Sequence, residues 1–351
     1  MVLLDRNLLE SEEELLPFHR RRAINTRFLP KVKQTFSKKE QLLHPEDLLR
    51  ERWFIRGLIG KGGYGEIYLA LDVRQTEEVA IKTELRTRRN KTSKRMILEQ
   101  QVLLRLQGRP HVPKMLASGH SDRMNFIVME LLSLNVGDLK KQSPVKRLSR
   151  FTVGRIMQQA IAGLRDVHTI GFLHRDVKPA NMCFGVTTRT RHILMLVDFG
   201  LVRKFRKSDG TLRPQRKKPG FRGTLRYVSI RAHDKLEQCP ADDLISLMYS
   251  GVELFIGDLP WKFISHNEDV RRAKVQLMEK DGYMSLMPRG FQEMSMAINS
   301  LGPEDEPNYT LIQGLLADMV ADRQMSDPYD WETPDWRECF EAPPNPIENW
   351  L

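Results

Sequence analysis

Three oxygen-bearing side chains stand at a spacing that suits phosphoryl transfer. His174-Arg175-Asp176 precedes Asn181 by a short loop, and Asp198-Phe199-Gly200 follows further on. In the pattern H-R-D-x-x-x-x-N followed by D-F-G, the first carboxylate orients the hydroxyl that receives the phosphoryl group. The amide and the second carboxylate are hard oxygen ligands of the kind that Mg²⁺ prefers. The sequence therefore predicts Asp176 as the catalytic base, and Asn181 and Asp198 as ligands of Mg²⁺.

Lys178 adds a positive charge near the transferring phosphate, two residues after Asp176. A lysine at this place is the version found where serine or threonine accepts the phosphoryl group. A polar loop could spell either motif by chance, but two motifs in this order make that interpretation the weaker one. We therefore expect serine or threonine hydroxyls as acceptors.

A glycine-rich segment precedes these motifs and matches G-x-G-x-x-G. Dinucleotide-binding folds share this pattern, but there the third glycine opens a helix. Here residues 66–70 are of β type, so the loop joins two strands, and no Gly-Lys-Ser/Thr closes it. The sequence thus predicts a flap over nucleotide phosphates, formed by Gly60, Lys61, Gly62, Gly63, Tyr64, Gly65 and Glu66.

Lys82 ends a short β-type run and would bind the α and β phosphates of ATP. A desolvated lysine without an anion is costly, so a carboxylate should hold it. Glu99, on the next predicted helix, is the expected partner, whereas Glu84 belongs to the strand end. The alternative for Lys82 taken by itself is a solvated strand lysine.

Small and apolar residues are predicted to surround the adenine ring. Cys183 has no histidine or helix N-terminus to lower its pKa, so we expect an apolar floor and not a nucleophile. The predicted pocket consists of Ile59, Ile67 and Ala80 above the ring, Met129, Glu130 and Leu132 at its edge, and Cys183 below.

The elements that would position these residues are strands first and helices second, which is the layout of two segregated lobes in the α+β class. The apolar patterns place them as follows: strand, glycine turn and strand over 53–70, strands at 79–83 and 126–130, and helices over 94–106, 153–167 and 243–255.

Length and composition fit a soluble protein with a large core. The chain has 351 residues, of which 40% are hydrophobic, and only three widely spaced cysteines. Neither a disulfide framework nor a zinc site can be built from them. Charge appears too early for a signal peptide, and no run of about 18 apolar residues suggests a membrane span. We expect a monomeric cytosolic or nuclear protein.

The formal net charge of +11 is unevenly spread. Residues 20–39 hold eight basic residues and no acid, and residues 203–226 hold ten basic residues against Asp209, whereas an acidic region begins near residue 302. Nucleic-acid binding through the first segment rests on charge alone, because no groove-reading motif accompanies it.

Residues 1–52 are predicted to be a partly disordered extension, with one short amphipathic helix as the alternative.

From about Trp53 to Trp331 the sequence resembles a eukaryotic protein kinase of the casein kinase 1 group, most like the tau-tubulin kinase branch. The group marks are Leu106-Gln107-Gly108, Gly223-Thr224-Leu225-Arg226-Tyr227, Glu237-Gln238 and Asp242-Asp243-Leu244, and the branch marks are Phe221-Arg222-Gly223-Thr224 and Asn308-Tyr309-Thr310-Leu311-Ile312. The resemblance implies a bilobal kinase fold, with an N-lobe over about 53–130, a C-lobe over about 131–331 and a tail at 332–351. It also implies ATP and Mg²⁺ as cofactors and protein substrates, cytoskeletal proteins being the first guess.

Two positions depart from the group: Arg231 replaces an asparagine, and Met248 replaces a glycine. The resemblance implies that Arg226 binds an anion near the substrate groove. The basic segment around it favours acidic or phosphorylated substrates, because arginine pairs bidentately with phosphate. A solvated basic face is the alternative for that segment. For the whole chain, the alternative function is a catalytically silent pseudokinase that binds partners through this surface.

Overall fold

The computed structural model describes residues 26–33, 41–63, 65–88, 91–92, 94–279 and 284–339. Tyr64, the predicted N-terminal amphipathic helix, most of the basic segment at 20–39 and the end of the predicted tail lie outside the described residues.

The first lobe is built on an antiparallel six-stranded sheet with the order β1-β2-β3-β4-β8-β7. Every second residue of β3 is buried, as a strand with one face on a core requires. The core beneath it includes Trp53, Ile55 and Tyr68. The strands are β1 (Leu48–Leu49), β2 (Trp53–Gly62), β3 (Gly65–Asp72), β4 (Glu77–Leu85), β7 (Met115–His120) and β8 (Met124–Glu130), and the small hairpin of β5 (Thr87–Arg88) and β6 (Lys91–Thr92) follows β4.

One long helix, α1 (Arg95–Leu106), belongs to this lobe. The carboxylate of Glu84 accepts a hydrogen bond from the backbone N–H of Met96 at 3.2 Å. A carboxylate at a helix N-terminus accepts a hydrogen bond from a free N–H group and interacts favourably with the positive end of the helix dipole. Glu84 thus fixes where α1 begins, and the helix packs against the turn Phe199–Leu201 in the second lobe.

The second lobe is helical. Its central helix, α3, is buried along most of its length and begins at Ser149, whose side chain accepts a bond from the Thr152 N–H. Helix α5 begins at Pro240, a residue well suited to a first helical position. The helices are α2 (Val136–Gln142), α3 (Arg150–Thr169), α4 (Ile230–His233), α5 (Pro240–Ile256), α6 (Asn267–Glu279), α7 (Arg289–Asn299) and α8 (Tyr309–Gly314).

Short strands frame the loops that carry the motifs. A three-stranded sheet has the order β12-β11-β9, and β10 pairs with β13. The loop over residues 174–181, which carries the H-R-D-x-x-x-x-N motif and is called the catalytic loop below, joins β10 to β11. The D-F-G segment follows β12. These strands are β9 (Leu132–Asn135), β10 (Phe172–Leu173), β11 (Met182–Gly185), β12 (Leu194–Leu196) and β13 (Arg203–Lys204).

The predicted fold class, α+β with a β-rich first lobe and a helical second lobe, is confirmed. Part of the predicted extension packs on the sheet: Leu43 is buried in its core, and the Lys33 N–H bonds to the Leu58 carbonyl at 2.8 Å. The domain boundaries remain predictions. Among the described residues, no helix combines the length and the apolar character that a membrane crossing needs.

Candidate active site

Lys82, Glu99 and Asp198 come from three separate elements and meet in one ion cluster. The Lys82 ammonium donates to both carboxylate oxygens of Glu99 at 2.7 and 2.9 Å. It also donates to Asp198 Oδ1 at 2.8 Å. The strand, the helix and the D-F-G segment are therefore joined at one nitrogen, and Glu99 is the carboxylate that the sequence analysis paired with Lys82.

The Lys82 ammonium and the Asp198 carboxylate stabilise each other's charge, whereas burial first, and then the charge of Asp198, raise the pKa of Glu99. Burial alone would lower the pKa of Lys82, but the carboxylates of Glu99 and Asp198 raise it. Burial would likewise raise the pKa of Asp198, but the Lys82 ammonium holds it at about 2. An ammonium and an ionised carboxylate therefore stand together at neutral pH, as a site for phosphates and a cation requires.

Asp176 lies at the centre of a second cluster. The Thr224 hydroxyl donates to its Oδ1 at 2.7 Å, and the Lys178 ammonium donates to its Oδ2 at 2.7 Å. Lys178 also reaches the Thr224 hydroxyl at 2.9 Å. The Asn181 amide donates to the Asp176 backbone carbonyl at 2.8 Å. The predicted base, lysine and metal ligand are thus brought together.

The backbone before Asp176 is held by a carboxylate that the sequence analysis did not assign to the site. Asp243 accepts bonds from the backbone N–H groups of His174 and Arg175, both at 2.7 Å, and it contacts His168 Nε2 at 2.9 Å. Its pKa is lowered, because these donors outweigh the effect of burial. Arg175 has a φ of 65°, a strained value for arginine, so the loop depends on these bonds.

Thr224 was also missed as a site residue, although it belongs to a quoted family mark. It follows Gly223, whose φ is +112°. A Cβ at Gly223 would lie 2.8 Å from the Arg175 carbonyl oxygen, so only glycine fits there. The close approach brings Thr224 to Asp176. The signal for both missed residues was their place within the family marks.

The glycine-rich flap is a turn between β2 and β3, as predicted. At Gly65 a Cβ would meet the Thr83 carbonyl oxygen at 2.2 Å, so the third glycine allows β3 to lie close to β4. Gly62 and Gly63 face open space, whereas Gly60 packs on Ile67. Glu66 binds inward, since it accepts from the Tyr68 hydroxyl at 2.5 Å, and Lys61 reaches it at 3.1 Å. Of this predicted set, Tyr64 lies outside the described residues.

The residues predicted around the adenine lie on adjoining strands. Ala80 pairs with Met129 across β4 and β8, and Gly60 pairs with Ile67 across β2 and β3. In the small sheet, Leu132 is on β9 and Cys183 on β11. Burial raises the pKa of the Cys183 thiol to about 12, which agrees with an unreactive floor. Glu130 lies at the end of β8, where its carboxylate accepts from the Lys114 N–H at 2.6 Å, and Ile59 is half-buried on β2.

Arg226, the predicted anion-binding residue, has a counter-charge within the protein. Its guanidinium lies 3.7 Å from Glu253 and donates to the Lys262 carbonyl at 3.2 Å. A different arginine group lies nearer the catalytic loop. The pKa of Arg175 falls to about 10, because of burial first and then the neighbouring positive charges of Arg216, Arg203 and Arg222.

Glu237 offsets part of this arginine group. It accepts from Arg216 Nε at 2.7 Å and from Arg203 Nε at 3.1 Å. Arg222 is exposed, and it donates to the Phe221 carbonyl at 2.8 Å. Two of the four guanidinium groups thus share the Glu237 carboxylate, and all four lie close enough for the other three to lower the pKa of Arg175 in the catalytic loop.

The two departures from the group are accommodated locally. Met248 is buried on α5, and its sulfur lies 3.0 Å from the Ser295 hydroxyl of α7, which donates to it. Arg231 is half-buried on α4, and its charge helps to lower the pKa of the buried Asp242, against the larger effect of burial. Met248 therefore contributes to the contact between α5 and α7, and Arg231 partly offsets the rise that burial causes in the pKa of Asp242.

The donor set fits a hard divalent cation. Asp198 is ionised at neutral pH, and its side chain is 37% exposed. Since the Asn181 nitrogen is directed to Asp176, the amide oxygen is the atom that can serve as a ligand. One carboxylate and one amide oxygen, with water and phosphate oxygens completing the shell, suit Mg²⁺.

Comparisons with known proteins agree with this geometry. The protein kinase domain family matches residues 53–326. A Caenorhabditis elegans protein whose name assigns it to casein kinase I is 44% identical over 88% of this chain and 93% of its own length. A Dictyostelium discoideum protein named as a serine/threonine-protein kinase is 36% identical, over 81% of this chain and 57% of its own length. The serine/threonine-protein kinase spe-6 of C. elegans is 30% identical over 80% of this chain and 76% of its own length. The chain therefore belongs to the protein kinase family, within the casein kinase 1 group of serine/threonine kinases.

Proposed function

We propose that this protein transfers the γ-phosphate of Mg-ATP to serine or threonine hydroxyls of proteins, and that it favours substrates carrying acidic or phosphorylated residues. The observation that carries the first part is the ion cluster of Lys82, Glu99 and Asp198 beside the Asp176 cluster. In protein kinases the lysine–glutamate pair and the D-F-G aspartate must both be in place for transfer. The Lys82–Glu99 ion pair, with Asp198 beside it, supports this proposal.

The residues divide the work by position. Lys82, held by Glu99, would bind the α and β phosphates, and the flap over 60–66 would cover them. Asp176 would accept the hydrogen bond of the incoming hydroxyl in place of the bond it now takes from Thr224. Lys178 would then stabilise the negative charge on the transferring group. Catalysis on this account is mainly positioning and charge stabilisation.

Asp198 and Asn181 would hold Mg²⁺ against the phosphates. When bound, the cation neutralises phosphate charge and fixes the orientation of the phosphate chain. This assignment is supported by the low pKa of Asp198 and by the orientation of the Asn181 amide.

The preference for anionic substrates is supported by the arginine group beside the catalytic loop. Arg216 and Arg222 are exposed, and after burial, which is the largest cause, their charges and that of Arg203 lower the pKa of Arg175. Arginine forks bind phosphate strongly, and an incoming anion would relieve their repulsion. We therefore place the substrate anion at Arg222 and at Arg216, which shares the Glu237 carboxylate with Arg203, and keep Arg226, whose counter-charge is Glu253, as a predicted contributor.

The resemblance to the tau-tubulin branch makes cytoskeletal proteins the first substrates to test. None of the three cysteines, all in described positions, forms a disulfide, which supports a reducing cytosolic or nuclear setting.

The substrate preference is tested with one serine peptide in neutral, acidic and phospho-primed versions. We expect kcat/KM to be lowest for the neutral peptide, higher for the acidic peptide and highest for the phospho-primed peptide. Replacing both Arg216 and Arg222 with alanine should lower the value for the phospho-primed peptide about tenfold or more, because charged hydrogen bonds are lost. The neutral peptide should be affected much less. Arg189→Ala, at an exposed arginine between β11 and β12, is the control. Equal rates on all three peptides would contradict the preference.

A further inference from the structure

A lysine remote in sequence from every motif is buried beneath the segment that follows Thr224. The side chain of Lys274, on α6, is fully buried. Its ammonium nitrogen donates to the Leu225 carbonyl at 3.0 Å and to the Val228 carbonyl at 2.6 Å. The same nitrogen lies 3.1 Å from His233 Nε2 on α4. One side chain thus joins both ends of the segment 225–228 to two helices of the second lobe.

No carboxylate among the described residues lies within ion-pair distance of Lys274. Burial therefore lowers its pKa to about 6. The nitrogen lies instead over the rings of Tyr249 and Trp261, at 5.0 and 5.4 Å from their centres. In either protonation state it has enough hydrogens for the two carbonyl groups. A buried lysine without a carboxylate is costly, so stability alone does not account for its choice.

The segment that Lys274 holds leads directly into the catalytic cluster. The N–H groups of Tyr227 and Val228 both bond to the Thr224 carbonyl, at 2.9 and 3.1 Å. The Thr224 hydroxyl in turn bonds to Asp176 at 2.7 Å. One of the two carbonyls between those that Lys274 holds, that of Arg226, accepts from the Trp261 indole at 2.8 Å. The Lys274 nitrogen and the Trp261 indole, both from the second lobe, therefore hold the backbone of the turn that follows Thr224.

We propose that Lys274 is a positioning residue for the protein substrate, which fixes the turn 225–228 and through it the place of the acceptor hydroxyl at Asp176. The inference rests on the proposed function, because it takes this turn as the substrate platform. Lys274 itself touches neither nucleotide nor substrate. Its loss should therefore affect the use of peptide far more than the use of ATP.

The matched control is Arg155, another basic side chain with almost no exposure. It donates to the Asp327 carbonyl at 2.6 Å and lies over the rings of Phe151 and Tyr329, at 5.1 and 3.8 Å. Arg155 is thus bound like Lys274, by a backbone carbonyl and two rings, but it holds the region after residue 326. A loss of stability alone should be similar for Arg155→Met and Lys274→Met.

The experiment compares wild type, Lys274→Met and Arg155→Met in peptide phosphorylation and in ATP hydrolysis without peptide. For Lys274→Met we expect kcat/KM for peptide to fall about tenfold or more, since a misplacement of about 1 Å can cost a hundredfold. The KM for ATP and the hydrolysis rate should stay within about twofold. Hydrogen exchange at the amides of 225–228 should rise in this variant and not in Arg155→Met.

A folded Lys274→Met that loses peptide transfer and ATP hydrolysis equally, or neither, would overturn the proposal. If this variant does not fold, Lys274→Leu, which also lacks the hydrogen-bond donor, takes its place with the same criteria. If neither folds, Lys274 is a residue that the fold itself requires and the proposal fails. Absence of transfer by the wild type would instead contradict the proposed function, so the two failures are distinguishable.

Discussion

At the scale of residues, the site depends on one nitrogen that serves two carboxylates. Lys82 is bound by Glu99 at 2.7 Å and by Asp198 at 2.8 Å. If Asp198 turns to a metal ion, Glu99 remains the carboxylate that holds the lysine. Replacing Glu99 therefore tests which interpretation of Lys82 is correct. Activity should fall if Lys82 binds phosphate, and should not fall if Lys82 is an ordinary strand lysine.

Replacing Glu99 with glutamine should lower kcat/KM for peptide phosphorylation about a hundredfold, since one preorganised electrostatic contact in an active site is worth that much. The control is Glu84→Gln, which alters the other nearby acid. Glu84 accepts a hydrogen bond from the Met96 N–H in the first turn of α1, and a glutamine oxygen can still do so, so its replacement should cost at most about 1 kcal/mol of unfolding free energy and only a small part of the activity. Steady-state kinetics and thermal unfolding of both variants check this. Equal losses of activity would contradict the role of Glu99.

The low pKa of Asp198 predicts a pH dependence of stability. Its folded pKa of about 2 lies below the ordinary value of 3.8. A depressed carboxyl pKa contributes stability above the unfolded pKa, and that contribution is lost as pH falls toward the folded pKa. Between pH 4 and pH 3 the wild type should therefore lose more unfolding free energy than Asp198→Asn. Denaturant unfolding at pH 6, 4 and 3 measures the difference. Parallel curves would show that Lys82 does not hold this carboxylate.

At the scale of elements, α5 and the catalytic loop are joined by Asp243. This carboxylate accepts two backbone N–H groups of the loop and contacts His168. Asp242, the next residue back, is also buried, but it accepts from the Cys239 N–H and the Ser229 hydroxyl. Two adjacent carboxylates of one helix thus hold two different segments.

Asp243→Asn should destabilise the protein by about 3 kcal/mol or more, because an amide nitrogen would face a backbone donor in a buried site. It should also abolish most ATP hydrolysis, since the loop that carries Asp176 would lose its support. Asp242→Asn should be destabilising as well, yet retain hydrolysis in the absence of peptide. Unfolding and hydrolysis assays of both variants test this contrast. Retained hydrolysis in a folded Asp243→Asn would refute it.

Local sequence motifs predict most of the chemistry but not the supports behind it. Asp176, Asn181 and Asp198 follow from their spacing, because a loop and a turn fix them within a short stretch of chain. Thr224 and Asp243 act on that loop from 48 and 69 residues away, counted to Asp176 and His174. Such contacts depend on how helices pack, which periodicity does not specify.

The elements themselves were predicted closely because their patterns are strong. The apolar spacing over 153–167 predicts a helix, and α3 spans Arg150–Thr169, with ends set by the Ser149 cap and not by apolar residues. Arg226 shows the limit of charge counting. Ten basic residues in one segment predict an anion site, but the pattern does not show that Glu253 lies near Arg226, or that Glu237 binds two other arginines of the segment.

At the scale of the whole molecule, the two lobes contribute separate halves of one site. The sheet and α1 supply Lys82 and Glu99, and the helical lobe supplies Asp176, Asn181 and Asp198. The helical lobe also carries the arginine group beside the catalytic loop. The proposed nucleotide binding and the proposed preference for anionic protein substrates can therefore be tested with separate variants.

The most direct test is transfer of labelled γ-phosphate from Mg-ATP to casein by the wild type and by Asp176→Asn. The two side chains are nearly the same size, but the amide cannot accept the hydroxyl proton. We predict measurable transfer by the wild type and a transfer rate at least about a hundredfold lower in the variant. The variant should bind ATP as tightly as the wild type does. Transfer by the wild type no greater than by the variant, with ATP still bound, would contradict a phosphotransferase and favour a protein that binds partners through its basic surface.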